Sequence, residues 1–94
     1  MFKLDPNQKF SKNPKVTYRD LAEGGVLLDI ESGAYHGLNR TGCAIWKLLD
    51  GEPSFSAVVH GLRTMLDDAP PELTEEVARF LVSMEKRGLI TAEG

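Results

Sequence analysis

The side chains able to do chemistry are few and scattered. Two histidines, His36 and His60, and a single cysteine, Cys43, are the residues suited to metal binding or nucleophilic catalysis. A zinc site draws three or four ligands into one cluster. Neither histidine has a cysteine or glutamate at ligand spacing, so no metal site is expected. Cys43 lies near the start of a helical run, a setting that can stabilise a thiolate. No His/Asp pair is positioned by sequence to serve it, so Cys43 reads as a small buried apolar residue. Carboxylates gather at Asp67, Asp68, Glu72, Glu75 and Glu76. Three of these fall in the opening turns of a third helix, where acidic side chains complement the helix dipole. Gly24-Gly25 and Gly33 read as turn glycines. A phosphate loop would need a strand-to-helix junction followed by Lys-Ser/Thr, and none follows them.

The chain that must position these residues has 94 residues, enough for one domain. It is 41% hydrophobic and 27% charged, within the range of ordinary globular domains. One cysteine excludes an intramolecular disulfide and suits a reducing cytoplasm. The opening MFKLDPNQKF lacks the apolar run of a signal peptide. No apolar stretch approaches the roughly 20 residues of a membrane span.

Residues 1–15 are polar, carry Pro6 and Pro14, and read as an irregular lead-in. Strands are expected over 16–21, 26–30 and 34–38, separated by turns at Ala22-Glu23-Gly24-Gly25 and Glu31-Ser32-Gly33. The register of the second hairpin stays open. A two-residue loop sets Ile30 against Tyr35; a three-residue loop sets Ile30 against Ala34. A first helix, capped by Asn39 or Thr41, runs to about Leu49 with Ile45, Trp46, Leu48 and Leu49 as its apolar stripe. Asp50-Gly51-Glu52-Pro53 ends it. A second helix follows Ser54 or Ser56, with Val58, Val59, Leu62, Met65 and Leu66 on one side. Asp67 to Pro70 breaks the chain, and Pro71 opens a third helix carrying Leu73, Val77, Phe80, Leu81 and Met84. Gly88 ends that helix. Leu89-Ile90-Thr91 forms an apolar tail that pairs or packs. Three antiparallel strands followed by three helices predict an α+β domain of winged helix-turn-helix type over 16–91.

Winged helices often read DNA, but the charge here is wrong for it. Net charge is −3 and the pI about 5.3, whereas phosphate binding draws on a basic surface. The third helix would be the reader, and it opens on three glutamates. That helix has a second feature. Beside its core stripe runs another, Glu76, Phe80, Ser83 and Arg87, with the large Phe80 at the seam. The third strand is the last of the meander, so one of its edges is expected to lack a partner. An open edge beside an apolar helix face suits strand addition by a peptide.

The runs LLDIESGAYHGLNRTGCAIWKLLDGEPS and EEVARFLVSMEKRGLI resemble the PqqD family. The likeness spans about residues 16–91 and rests on Leu38-Asn39, Thr41-Gly42, Asp50-Gly51 and Arg87-Gly88-Leu89. Members are RiPP recognition elements, small domains that bind the leader of a ribosomally made precursor peptide. The LLD-x-x-SG-x-Y-x-x-LN-x-TG form is similar to the stand-alone recognition proteins of lasso-peptide clusters, which work with a leader peptidase and a macrolactam-forming cyclase. A PqqD-type partner of a radical enzyme is the alternative within the family, and a winged-helix DNA regulator the one outside it. The resemblance implies no catalysis, no cofactor, and a leader that pairs with the third strand and lies on the third helix. The peptide-binding positions are then Leu28, Ala34, Tyr35, His36 and Gly37 on the sheet, and Glu76, Val77, Arg79, Phe80, Ser83, Met84 and Arg87 on the helix.

Overall fold

The computed structural model describes residues 4–51, 53–66 and 68–93. The expected break residues Glu52 and Asp67 lie outside the described residues. The elements are β1 (Lys9–Lys12), β2 (Val16–Leu21), β3 (Gly24–Asp29), β4 (Tyr35–Leu38), α1 (Arg40–Leu48), α2 (Phe55–Met65), α3 (Leu73–Lys86) and β5 (Ile90–Glu93). β2, β3 and β4 form an antiparallel sheet in that order, and β1 pairs with β5 in a second, two-stranded sheet. The expected α+β architecture, a three-stranded meander followed by three helices, is present.

Local chemistry sets the helix ends. Asn39 caps α1, its Oδ1 accepting from the Gly42 N–H at 2.8 Å. Ser54 does the same for α2, accepting from the Ala57 N–H at 3.2 Å; each such cap contributes about 1 kcal/mol. α3 has no side-chain cap, but Glu75 and Glu76 sit in its first turn, where they favour the helix dipole. Gly88, at φ +75°, ends α3 in the left-handed conformation that glycine adopts without penalty.

The apolar faces meet in one core. Leu27, Ile45, Leu49, Val58, Leu62, Leu73, Val77 and Leu81 are nearly or fully buried. Met65, expected on the inner side of the second helix, lies in its last turn and is 55% exposed.

Three expectations are corrected. The lead-in is not irregular throughout: residues 9–12 form β1, whose Phe10 is buried and pairs with Ala92. β1 is also tied to the loop before α2, through Phe10 N–H to Pro53 O and Phe55 N–H to Gln8 O. The Leu89-Ile90-Thr91 tail is its partner, so the packed unit begins before Val16. Gly24 and Gly25 are not turn residues but belong to β3. Gly25 is small because a Cβ there would lie 2.7 Å from Tyr18 Cε1 and 2.9 Å from Cys43 Sγ.

The third correction is the register of the second hairpin. Leu28 faces Tyr35, Leu27 faces His36 and Gly25 faces Leu38, so neither the two-residue nor the three-residue loop forms. Asp29 closes a four-residue loop instead. Its Oδ1 accepts from the Glu31 and Ser32 N–H groups, and its carbonyl accepts from the Gly33 N–H at 2.7 Å. Gly33 takes φ +78° to complete the reversal.

Candidate functional site

The register decides which backbone groups of β4 are spoken for. The Asp29 N–H donates to the Ala34 carbonyl at 2.9 Å, and the Ala34 N–H donates to Ser32 Oγ. Hydrogen-bonding groups alternate between the two edges of an antiparallel strand. His36 and Leu38, opposite Leu27 and Gly25, therefore turn their amides and carbonyls toward β3. Tyr35 and Gly37 turn theirs outward. Among the described residues no strand pairs with that outer edge. An unpaired edge is a ready template for another chain.

The edge leads directly into a cleft. Beyond Leu38, Asn39, Thr41, Gly42 and Ile45 of the α1 start face Glu76, Val77 and Phe80 of α3 across a hollow of about 180 Å³. Gly42 permits this approach, because a Cβ there would come within 3.1 Å of Phe80 Cε1. Phe80 is half-buried and packs on the core. Glu76 is exposed at the rim. At the far end of α3, Asn13 holds the chain: its Nδ2 donates to the Gly88 carbonyl and its backbone N–H to the Leu89 carbonyl.

The opposite face of the sheet is also open. Leu21, Val26, Leu28 and Tyr35, with Thr17 and Arg19, surround a shallow hollow of about 450 Å³. Tyr35 is 71% exposed there.

Charge near the sheet is arranged around Tyr18. Its phenol donates to Asp20 Oδ1, and Lys47 Nζ stands 3.4 Å from the same oxygen. The bond to Asp20, then the Cys43 thiol and burial, push the Tyr18 phenol above its ordinary value. The same bond, with help from Lys47, holds the Asp20 carboxyl below its usual range. Cys43 is 7% exposed, its thiol 3.9 Å from the Leu38 carbonyl oxygen. This cluster joins β2 to α1. Among the described residues no three His, Cys, Asp or Glu side chains converge to hold a metal.

The expected site residues divide. Tyr35 and Gly37 lie on the open edge, and Glu76, Val77 and Phe80 line the cleft. Ala34 and His36 are on β4 or its approach, but their backbone groups are already engaged within the hairpin. Leu28 is half-buried on the open sheet face. Val77 and Met84 are core residues, at 0% and 2% exposure; Val77 still floors the cleft, while Met84 is removed from it by burial. Arg79 is exposed and pairs with Glu75 at 3.4 Å, one turn back. Ser83 is half-buried and Arg87 exposed at the end of α3. Asn39, Thr41, Gly42 and Ile45 were not anticipated as cleft residues. Gly42 carried a signal, because glycine inside a helix costs about 1 kcal/mol against alanine and so marks a close neighbour.

Comparison with known proteins gives a consistent picture. A solved structure described as TbiB1 in complex with the TbiA(beta) leader peptide superposes with a TM-score of 0.76 at 21% identity. It covers 89% of this chain and 98% of its own. A lasso peptide synthetase B1 complexed with its leader peptide superposes with a TM-score of 0.68 at 28% identity, over 86% of this chain and 95% of that one. No curated protein matches. The profile of the family described as Coenzyme PQQ synthesis protein D (PqqD) matches residues 24–90, from the start of β3 to the start of β5. That span is well over half of the sequence and includes both the open edge and the cleft, and the chain belongs to the PqqD family.

Proposed function

We propose that this chain captures the leader region of a ribosomally made precursor peptide by strand addition to β4, without catalysing a reaction itself. The observation that carries the reading is the outward pair Tyr35 and Gly37. Their backbone groups lack a strand partner among the described residues, beside a cleft floored by Ile45, Val77 and Phe80. Backbone pairing supplies affinity and the cleft supplies side-chain selection. The two leader-bound structures with this fold support it. On this reading the peptide is the leader of a lasso-peptide precursor, a class named for one of these structures, and this chain hands it to a leader peptidase and a macrolactam-forming cyclase in the cytoplasm. Among the described residues no helix is long and apolar enough to cross a membrane.

A second reading, a peptide chaperone for a radical enzyme, draws on the family's link to coenzyme PQQ synthesis. Both readings need the same edge and differ in the enzyme that follows. The test is a titration of the chain with the leader of a precursor encoded near its gene, repeated with Tyr35→Pro. Proline lacks the amide donor but is tolerated where that donor faces outward. The folded variant is expected to lose leader binding, whereas Tyr35→Ala keeps most of it. Equal leader binding by wild type and Tyr35→Pro would exclude strand addition here.

A further inference from the structure

The open sheet face has a composition that edge pairing alone does not require. A solvent-facing sheet surface is normally polar on alternate residues. Here the outward face carries Leu21, Val26, Leu28 and Tyr35, with Arg19 as the one charge around the hollow among the described residues. Leu21 is 55% exposed and Tyr35 71%.

Gly37 sits at the border of this face. The register makes Arg19, Val26 and Gly37 one cross-strand row. Directly opposite residues share a face, so the side chains of Arg19 and Val26 lie on the open side, and Gly37 contributes none. A Cβ at Gly37 would meet nothing within 4 Å. The row therefore descends to bare backbone at the edge where a peptide strand would be added, and the hollow is open from that side.

We propose that the captured peptide carries a large apolar side chain, aromatic by preference, opposite Gly37, and that this side chain lies across the glycine onto Val26 beside Tyr35. The proposal rests on strand addition at β4 and names the chemistry selected there. Aromatic side chains cover glycines on neighbouring strands of natural and designed sheets. Adjacent strands lie about 4.8 Å apart, so a ring laid over Gly37 brings its far edge to Val26, one strand further on. Tyr35, two residues before Gly37 on the same face, walls one side. Arg19 lies at the far end of the row, beside the hollow. A second copy of this chain fits the face less well. Three short strands offer far less than the roughly 800 Å² per partner of a standard interface.

The test uses a displayed library of random dodecapeptides selected against the intact chain and against Gly37→Val. Valine keeps the amide, suits a strand and fills the notch. Wild type is expected to enrich peptides with Phe, Tyr, Trp or Leu at one fixed strand position. Gly37→Val, with unchanged thermal unfolding, is expected to lose that preference. Replacing the enriched residue by alanine should weaken binding to wild type tenfold or more and leave Gly37→Val nearly unaffected; the peptide-side change needs no protein variant. If the alanine peptide binds wild type equally while Tyr35→Pro binds nothing, strand addition stands and the cross-glycine contact falls. If Tyr35→Pro binds as wild type does, strand addition itself falls, and this inference with it. A concentration-dependent dimer broken by Arg19→Glu, with no residue preference in the selected peptides, would assign the hollow to a second copy and overturn the proposal.

Discussion

Phe80 shows how one side chain divides between stability and recognition. Its ring packs on the core and against Gly42, while one side lines the cleft between α1 and α3. An aromatic anchor in such a groove carries roughly 2 kcal/mol or more of binding. Phe80→Ala is expected to weaken leader binding by more than tenfold, read by calorimetry, while circular dichroism still reports a cooperative fold. Unfolding of the variant would assign the ring to the core alone. Cys43 carries the opposite expectation. It is buried against Leu38, so thiol labelling of the native protein should be slow and should accelerate on denaturation. Tyr18 adds a pH dependence. Its phenol is held neutral above the ordinary value of 10.0, and a raised folded pKa contributes stability below the unfolded value that is lost as pH rises. Stability should therefore fall above about pH 10, and Tyr18→Phe should lessen that fall in a denaturation series. Phe80 was legible as a seam residue from helical spacing. Gly42 was not read as its neighbour, because spacing along one helix says nothing about which other helix approaches it.

At the scale of elements, β2, β3, β4 and the three helices followed from local chemistry, and the hairpin register did not. Ser32-Gly33 was visible as a turn signal. That Asp29 would close the loop through its own carboxylate and carbonyl was not, because that depends on the Glu31 and Ser32 amides turning toward its side chain and the Gly33 amide toward its carbonyl. The consequence is functional, since the register selects Tyr35 and Gly37 as the outward pair. His36, whose amide faces β3, is the control. His36→Pro should disrupt the hairpin and lower the unfolding midpoint, whereas Tyr35→Pro should leave it near the wild-type value. Equal destabilisation by both would contradict the register.

The whole molecule is closed by a contact between its two ends. β1 and β5 pair across some 80 positions of sequence, and Phe10 is 2% exposed among otherwise polar neighbours. A single buried aromatic in a polar segment carries no periodicity, so the segment read as an irregular lead-in. Its partner tail was visible only as apolar. Phe10→Ala should cost about 3–5 kcal/mol of stability, measured by urea denaturation, without touching the edge or the cleft. The peptide-binding surface is thus held from behind: β1 and β5 anchor the end of α3, and α3 with α1 frames the cleft beyond β4.

Strand addition at β4 makes a demand that hydrogen exchange can read directly. Amide exchange should be followed residue by residue by NMR, with and without saturating leader peptide. The His36 amide, already turned toward β3, should be protected in both states. The amides of Tyr35 and Gly37 should exchange quickly in the free protein and become strongly protected when the peptide binds. Saturable leader binding that leaves the Tyr35 and Gly37 amides exchanging at their free rates would contradict docking at this edge.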